Sequence, residues 1–333
     1  MPKDRCHLVI IHGLAQKPPK DKLLDIWIGA LDRDNPKPEV FGTGNPGLRV
    51  EQKAATSLAY WADIFYTDFE TDLSSYEEAA EEASSFEGVN REFRTNPGPE
   101  LPKPTTDAER RFLEGFTNRL GYNVAFPDDT VGHELAPEEA YGLERVPLPL
   151  GLKKAIIRKA AMEAYHYLFD KPFTRSDGKV FPDVRRALQD RLINDLKEAR
   201  NTAERVVIVS HSMGTMISYD CLRNREDCPT VHGLVTLGSP LGVDEVQDGL
   251  IPKGAITVDF PQDSLLGEWV NVYDRLDVVC AADPKLANDF LRNGQPAITD
   301  INEQNWGEWR HTITHYLQGP KFRQALRRLA AIS

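Results

Sequence analysis

Residues 205–222 read RVVIVSHSMGTMISYDCL. The run Arg205–Val209 has the length and apolar character of a buried strand, and Met213–Leu222 reads as a helix. Five residues join them: Ser210, His211, Ser212, Met213 and Gly214. A strand that turns into a helix this sharply strains the backbone of its central residue, here Ser212. The positions two residues either side must be small, because the two backbones pass closely there. Ser210 and Gly214 occupy them. A serine stands where a first glycine is usual, and it keeps the steric requirement. The turn lifts the Ser212 hydroxyl clear of the sheet at the positive end of the following helix. It also aims the Met213 N–H at any oxygen bound beside that hydroxyl, so Met213 is a candidate oxyanion donor.

A serine hydroxyl is a weak nucleophile near neutral pH unless a histidine takes its proton and a carboxylate holds that histidine. Downstream, the strand-like run Trp269–Tyr273 delivers Asp274 and Asp277 onto one loop. Asp277 is the preferred carboxylate, since Val278 and Val279 behind it would anchor the loop; Asp274 is left to shape the turn. Of the eight histidines, only His311 and His315 follow Asp277. His311 lies nearer the start of the segment Trp309–Leu317 and is the favoured base, with His315 the alternative. Upstream, the apolar run His7–Ile11 ends in His12, Gly13 and Leu14. A glycine there admits close backbone approach, and the Leu14 amide becomes the second candidate oxyanion donor. His12 reads as a residue that fixes this loop.

The remaining chain supplies a frame for these pieces. Tyr60–Tyr66 reads as a second buried strand, and a helix begins near Asp25. Val231–Leu237 reads as a strand, and Pro320–Ala330 as a helix with Phe322, Leu326 and Leu329 on one face. Leu152, Ile156, Ala160, Ala164 and Leu168 recur every four residues, as do Val184, Leu188, Leu192 and Leu196. Pro182 suits the first turn of the second of these helices. Strands alternating with helices predict an α/β fold: a mostly parallel central sheet with helices on both faces. Residues 1–333 read as a single domain. Residues 68–170, acidic at first and then proline-dense, read as a largely helical insertion before the nucleophile strand.

VIIHGL, IVSHSMG, VTLGSP, the Asp277 loop and a late histidine before a terminal helix together resemble the lipases and esterases of the α/β-hydrolase superfamily. The motifs span residues 7 to 330 in the family's order, outside the insertion. HTITHYL resembles a lipase-like pattern in which the catalytic histidine precedes a Tyr-Leu pair by five residues, which favours His311. The resemblance implies ester hydrolysis through an acyl-enzyme, with Ser212 as nucleophile, His311 as base, Asp277 as its partner, and Leu14 and Met213 as oxyanion donors. It implies no cofactor or metal, a small acyl ester as substrate (lipid-like esters included), and a cap- or lid-like role for residues 68–170. Thioesterase and amidase activity would use the same residues. The rival from another class is a non-catalytic protein on a hydrolase fold that binds a ligand or partner.

Composition narrows the rest. A formal charge of −11 argues against nucleic acid as a partner. No apolar run reaches the ~20 residues of a transmembrane helix. The first apolar run is only a strand long, unlike a secretory signal, so a cytoplasmic protein is expected. The four cysteines show no disulfide or zinc spacing. Gly42–Gly47 lacks the ending of a phosphate loop and reads as a turn. Ser239, followed by Pro240, reads as structural. Trp309 and the region 148–170 are candidates to line an acyl pocket. The oligomeric state is not legible.

Overall fold

Successive residues of a strand point to opposite faces, and here both faces are apolar. Val9, Ile11, Val206 and Ile208 enter one buried cluster, while Leu8, Ile10, Val207 and Val209 enter another. The strands carrying them are therefore covered on both sides, as a parallel sheet requires. The computed structural model describes residues 4–14, 16–69, 101–125, 150–277, 279–280, 283–306 and 310–332. Its main strands are β1 (Asp4–Ile11), β2 (Ala55–Ala59), β5 (Ala203–His211), β6 (Val231–Leu237), β7 (Leu265–Tyr273) and β8 (Ile298–Asn302). A short antiparallel hairpin, β3 (Phe173–Thr174) with β4 (Val180–Phe181), stands apart. The main sheet has the order β2-β1-β5-β6-β7-β8, and every adjacent pair is parallel. The fold is α/β, as expected.

One layer contains the helices Lys20–Asp32, Ile313–Gln318 and Pro320–Ala330, whose buried residues pack on Leu8, Val207 and Val270. The opposite layer contains Val184–Thr202, the helix Met213–Asn224 that follows the elbow, and residues of Asp107–Ala125 and Leu150–Leu168. Ala160, Ala164 and Leu168 from the four-residue repeat, with Tyr167 beside them, are all buried in this second core. Residues 70–100 and 126–149 of the inserted stretch lie outside the described residues, as do Leu148 and Trp309.

Two local expectations are corrected. The aromatic run Tyr60–Tyr66 is not a strand: β2 ends at Ala59, its last residue paired with Ile11, and Ala62–Phe65 is a helical turn. The chain leaves the sheet because the Trp61 N–H donates to His12 Nε2 at 2.9 Å and so cannot continue the ladder. Pro182 lies outside the helix it was assigned to. Asp183 caps that helix, accepting the Arg186 N–H at 2.8 Å, and the first turn begins at Val184. The glycine-rich stretch at 42–47 is a structural turn. Arg323, buried, donates to the carbonyls of Asn45, Leu317 and Ala30. Burial and the neighbouring Arg327 push its guanidinium down to about 10.

A buried ionic knot fixes the elbow helix. Asp220 accepts two bonds from Arg185, each 2.7 Å, and one each from Tyr167, Gln189 and Asn224, also at 2.7 Å. Three helices thus converge on one carboxylate. Burial opposes its charge, but these donors hold it below the usual carboxylate range. Arg185→Ala strands that charge and is expected to cost about 3–5 kcal/mol in chemical unfolding. A loss under 1 kcal/mol would mean that solvent or Tyr167, Gln189 and Asn224 suffice.

Candidate active site

The parallel register brings the site together. Ile11 pairs with Ser210, His211 with Leu237, Leu237 with Val272, and Tyr273 with Asn302. The carboxyl ends of five strands therefore stand side by side, and the loops leaving them share one edge. The chain reverses direction across the sheet between β1 and β5, since β2 flanks β1 on the other side. Open parallel sheets bind ligands at the carboxyl ends beside such a switch point. Ser212 follows β5 and Gly13 follows β1, so both stand at that place.

Ser212 has φ 54° and ψ −128°, outside the comfortable region for a residue with a side chain. Its N–H donates to Leu237 O at 3.0 Å, and its carbonyl accepts the Thr215 hydroxyl at 2.7 Å. That hydroxyl also meets Ser239 Oγ at 2.8 Å, and Ser239 caps the short turn Pro240–Gly242. Ser239 is structural, as read. Ser210 is buried and donates its hydroxyl to Val235 O at 2.9 Å, so the serine replacing glycine is satisfied within the sheet. At Gly214 a side chain would meet the Ile11 and His12 carbonyls within 3 Å. The small-residue rule at the elbow thus has identified partners.

Asp277, His311 and Ser212 form a continuous chain of hydrogen bonds. His311 Nδ1 donates to Asp277 Oδ2 at 2.8 Å, and Ser212 Oγ donates to His311 Nε2 at 2.9 Å. The tautomer is forced, because a carboxylate only accepts. Asp277 is fully buried. Burial works against its charge, yet His311, Tyr316 and the Val279 N–H hold it below the ordinary carboxylate range. Asp274 performs a different task. It accepts the Leu276 N–H at 2.7 Å and the Asn305 N–H at 2.6 Å, closing its own turn and tying it to the loop before His311. His315 is elsewhere: its ring lies 3.6 Å from that of Trp306, and neither nitrogen has a hydrogen-bond partner among the described residues. Burial, with Lys37 and Arg310 nearby, pushes it down to about 3.

The β1 loop lies against the serine. A Cβ on Gly13 would stand 2.5 Å from Ser212 Cβ and 3.1 Å from its Oγ, so only glycine fits. Leu14 follows, partly buried on the core, and Met213 opens the elbow helix. His12 locks the loop. Its Nε2 accepts from Trp61, and its Nδ1 donates to Gly13 O at 2.8 Å. Burial and Lys17 push it down to about 3, so it remains neutral.

Two supporting residues escaped the sequence reading. His211 donates Nε2–H to the His311 carbonyl at 2.9 Å, with the two rings 4.6 Å apart. Burial, His311 and Lys17 keep it far below its usual value, hence neutral. Gly238 has φ +52°, and a Cβ there would lie 2.7 Å from Asp277 Oδ2 and 3.1 Å from His311 Nδ1. The glycine in LGSP was the available signal: it marks where the Asp–His pair needs space.

No protein-family model matches the chain, and no curated protein matches it. Among solved structures, acetyl xylan esterase 1 from Thermoanaerobacterium sp. JW/SL YS485 aligns at 10% identity. The alignment covers 92% of this chain and 71% of that one, with a TM-score of 0.29. An uncharacterized protein from Pseudomonas aeruginosa aligns at 9% identity over 99% of this chain and 47% of its own length, with a TM-score of 0.31. Likeness this remote carries no chemistry across. Among the described residues no helix is long and apolar enough to cross a membrane.

Proposed function

We propose that the chain is a serine hydrolase of the α/β-hydrolase type that cleaves carboxylic esters through an acyl-enzyme. The observation that carries this is the unbroken line Ser212 Oγ–His311 Nε2, 2.9 Å, and His311 Nδ1–Asp277 Oδ2, 2.8 Å, at the tip of a strained turn. Ser212 Oγ attacks the ester carbonyl carbon while its proton passes to His311 Nε2. Asp277 steadies the imidazolium, and the Leu14 and Met213 amides receive the oxyanion. Collapse breaks the acyl–oxygen bond, and the departing alkoxide takes the proton from His311. Water then attacks the acyl carbon while His311 accepts its proton; the Ser212 Oγ–acyl bond breaks, His311 returns the proton to Oγ, and the acid leaves. Thioesters and amides differ only in the leaving group. Residues 68–170 are assigned the role of a cap in this scheme, and lipid-like acyl chains fall within the substrate class.

A fluorophosphonate probe tests the reading. Peptide mapping is expected to place one adduct on Ser212, lost in His311→Ala and kept in His315→Leu. A folded wild-type protein that forms no adduct would move the assignment to a binding protein on this fold. Labelling lost with His315→Leu instead would transfer the base to that residue.

A further inference from the structure

Asp277 Oδ2, the oxygen that faces His311, carries a second donor. Tyr316, five residues beyond His311 on the helix Ile313–Gln318, donates its hydroxyl to the same Oδ2 at 2.6 Å. The direction of that bond is fixed. The Asp274 N–H points at the phenol oxygen from 3.2 Å and can only donate, so the phenol proton is free for the carboxylate. Tyr316 is fully buried and packs in the core beneath the sheet edge, so its hydroxyl cannot turn to solvent. Val279 N–H holds the other oxygen, Oδ1, at 2.9 Å.

We propose that Tyr316 is a positioning residue that sets the basicity of His311 through Asp277, by sharing the carboxylate oxygen on which His311 leans. This rests on the ester-hydrolase reading above. A hydrogen bond from Tyr316 withdraws charge from Oδ2 and weakens its pull on the His311 proton. It therefore tempers the basicity of the imidazole. The phenol itself remains a donor, because burial and the adjacent Asp277 push its ionisation well above the ordinary tyrosine range. The other groups facing this centre are Asp274, Asp277 and Cys280 from the β7 loop, Arg310 beside the base, His211 from β5, and Ser212 itself. Cys280 Sγ lies 3.5 Å from Asp274 O and 3.9 Å from the phenol oxygen, and Arg310 meets Asp274 at 3.4 Å. None of them donates to Oδ2, so removal of the phenol hydroxyl isolates the effect.

The experiment is the rate of fluorophosphonate labelling of Ser212 against pH, in the full chain. Labelling needs neutral His311, so the rate rises with pH through the pKa of that residue. Tyr316→Phe keeps the ring and removes the donor, leaving Oδ2 to His311 alone. The acid limb is expected to move upward by about half to one pH unit. A ring-fluorinated tyrosine placed at 316 preserves the packing and is a stronger donor, so it should move the limb downward even if Tyr316→Phe folds poorly. Leu317→Val, a buried neighbour in the same helix, should lower stability without moving the limb. Superimposed profiles for wild type and both Tyr316 variants would overturn the proposal while leaving the hydrolase reading intact. A wild type that never labels Ser212 would instead overturn that reading and the proposal with it.

Discussion

Ser212→Ala is expected to lower ester hydrolysis by about a millionfold, to the level of oxyanion binding alone. Among the described residues, the two hydroxyls nearest Ser212 are not free to take over its proposed role. Thr215 Oγ1 is committed to Ser212 O and Ser239, and Ser239 Oγ accepts from Leu241. The same position should also reveal stored strain. Alanine keeps the unfavourable φ of 54°, whereas glycine adopts it freely. Both variants lack the hydroxyl, so the bond to His311 cancels from the comparison. Ser212→Gly is therefore expected to be more stable than Ser212→Ala by about 1 kcal/mol, read from chemical unfolding of the two inactive proteins. Equal stabilities would mean that the elbow holds no strain. Activity of Ser212→Ala within a hundredfold of wild type would remove the nucleophile assignment.

Asp277→Asn is expected to reduce kcat/KM by about ten-thousandfold. The argument is one of donors and acceptors. His311 and Tyr316 both donate to Oδ2, and the Val279 N–H donates to Oδ1. An asparagine that presents its oxygen to the first pair turns its amide onto the Val279 N–H, two donors face to face. The opposite rotamer places the amide against His311 and Tyr316, and drives the imidazole toward the tautomer that cannot accept the Ser212 proton. Neither choice satisfies the pocket, so a stability loss of about 1–3 kcal/mol should accompany the loss of activity. That loss has a definite pH dependence. The Asp277 carboxyl is held below its ordinary value in the folded chain, so its ionised form stabilises the fold. The stability gap between wild type and Asp277→Asn should be full above the unfolded carboxylate pKa of about 4 and close as pH falls through the folded value. Activity within tenfold of wild type would remove Asp277 from the orienting role and turn attention to Asp274.

Much of this architecture is a local matter, which is why it can be read from the chain. Apolar runs of strand length, four-residue repeats and the small residues flanking Ser212 are constraints that neighbours in sequence impose on one another. They determine the parallel sheet, its two helical layers and the elbow itself. Where local signals compete, the reading slips. The aromatic run after Ala59 has strand-forming residues, but His12, far away in sequence, takes the Trp61 N–H and turns the chain. The sequence favoured Asp277 over Asp274 and His311 over His315, but Asp274 shares the loop of Asp277 and His315 lies only four residues beyond His311, so the contacts themselves lay beyond it. Only the register of five strand ends decides which side chains meet. That register sets His311 between Asp277 and Ser212 and leaves His315 against Trp306. The spaces and second partners around the site belong to the tertiary structure for the same reason. Gly238 makes room for a pair of side chains from two other loops, and Tyr316 and His211 act on atoms of residues brought near only by folding. By itself the sequence determined the elbow and the kinds of residue the site would draw on; which of them touch was decided by the alignment of parallel strands, because hydrogen bonds depend on distances that no local pattern encodes.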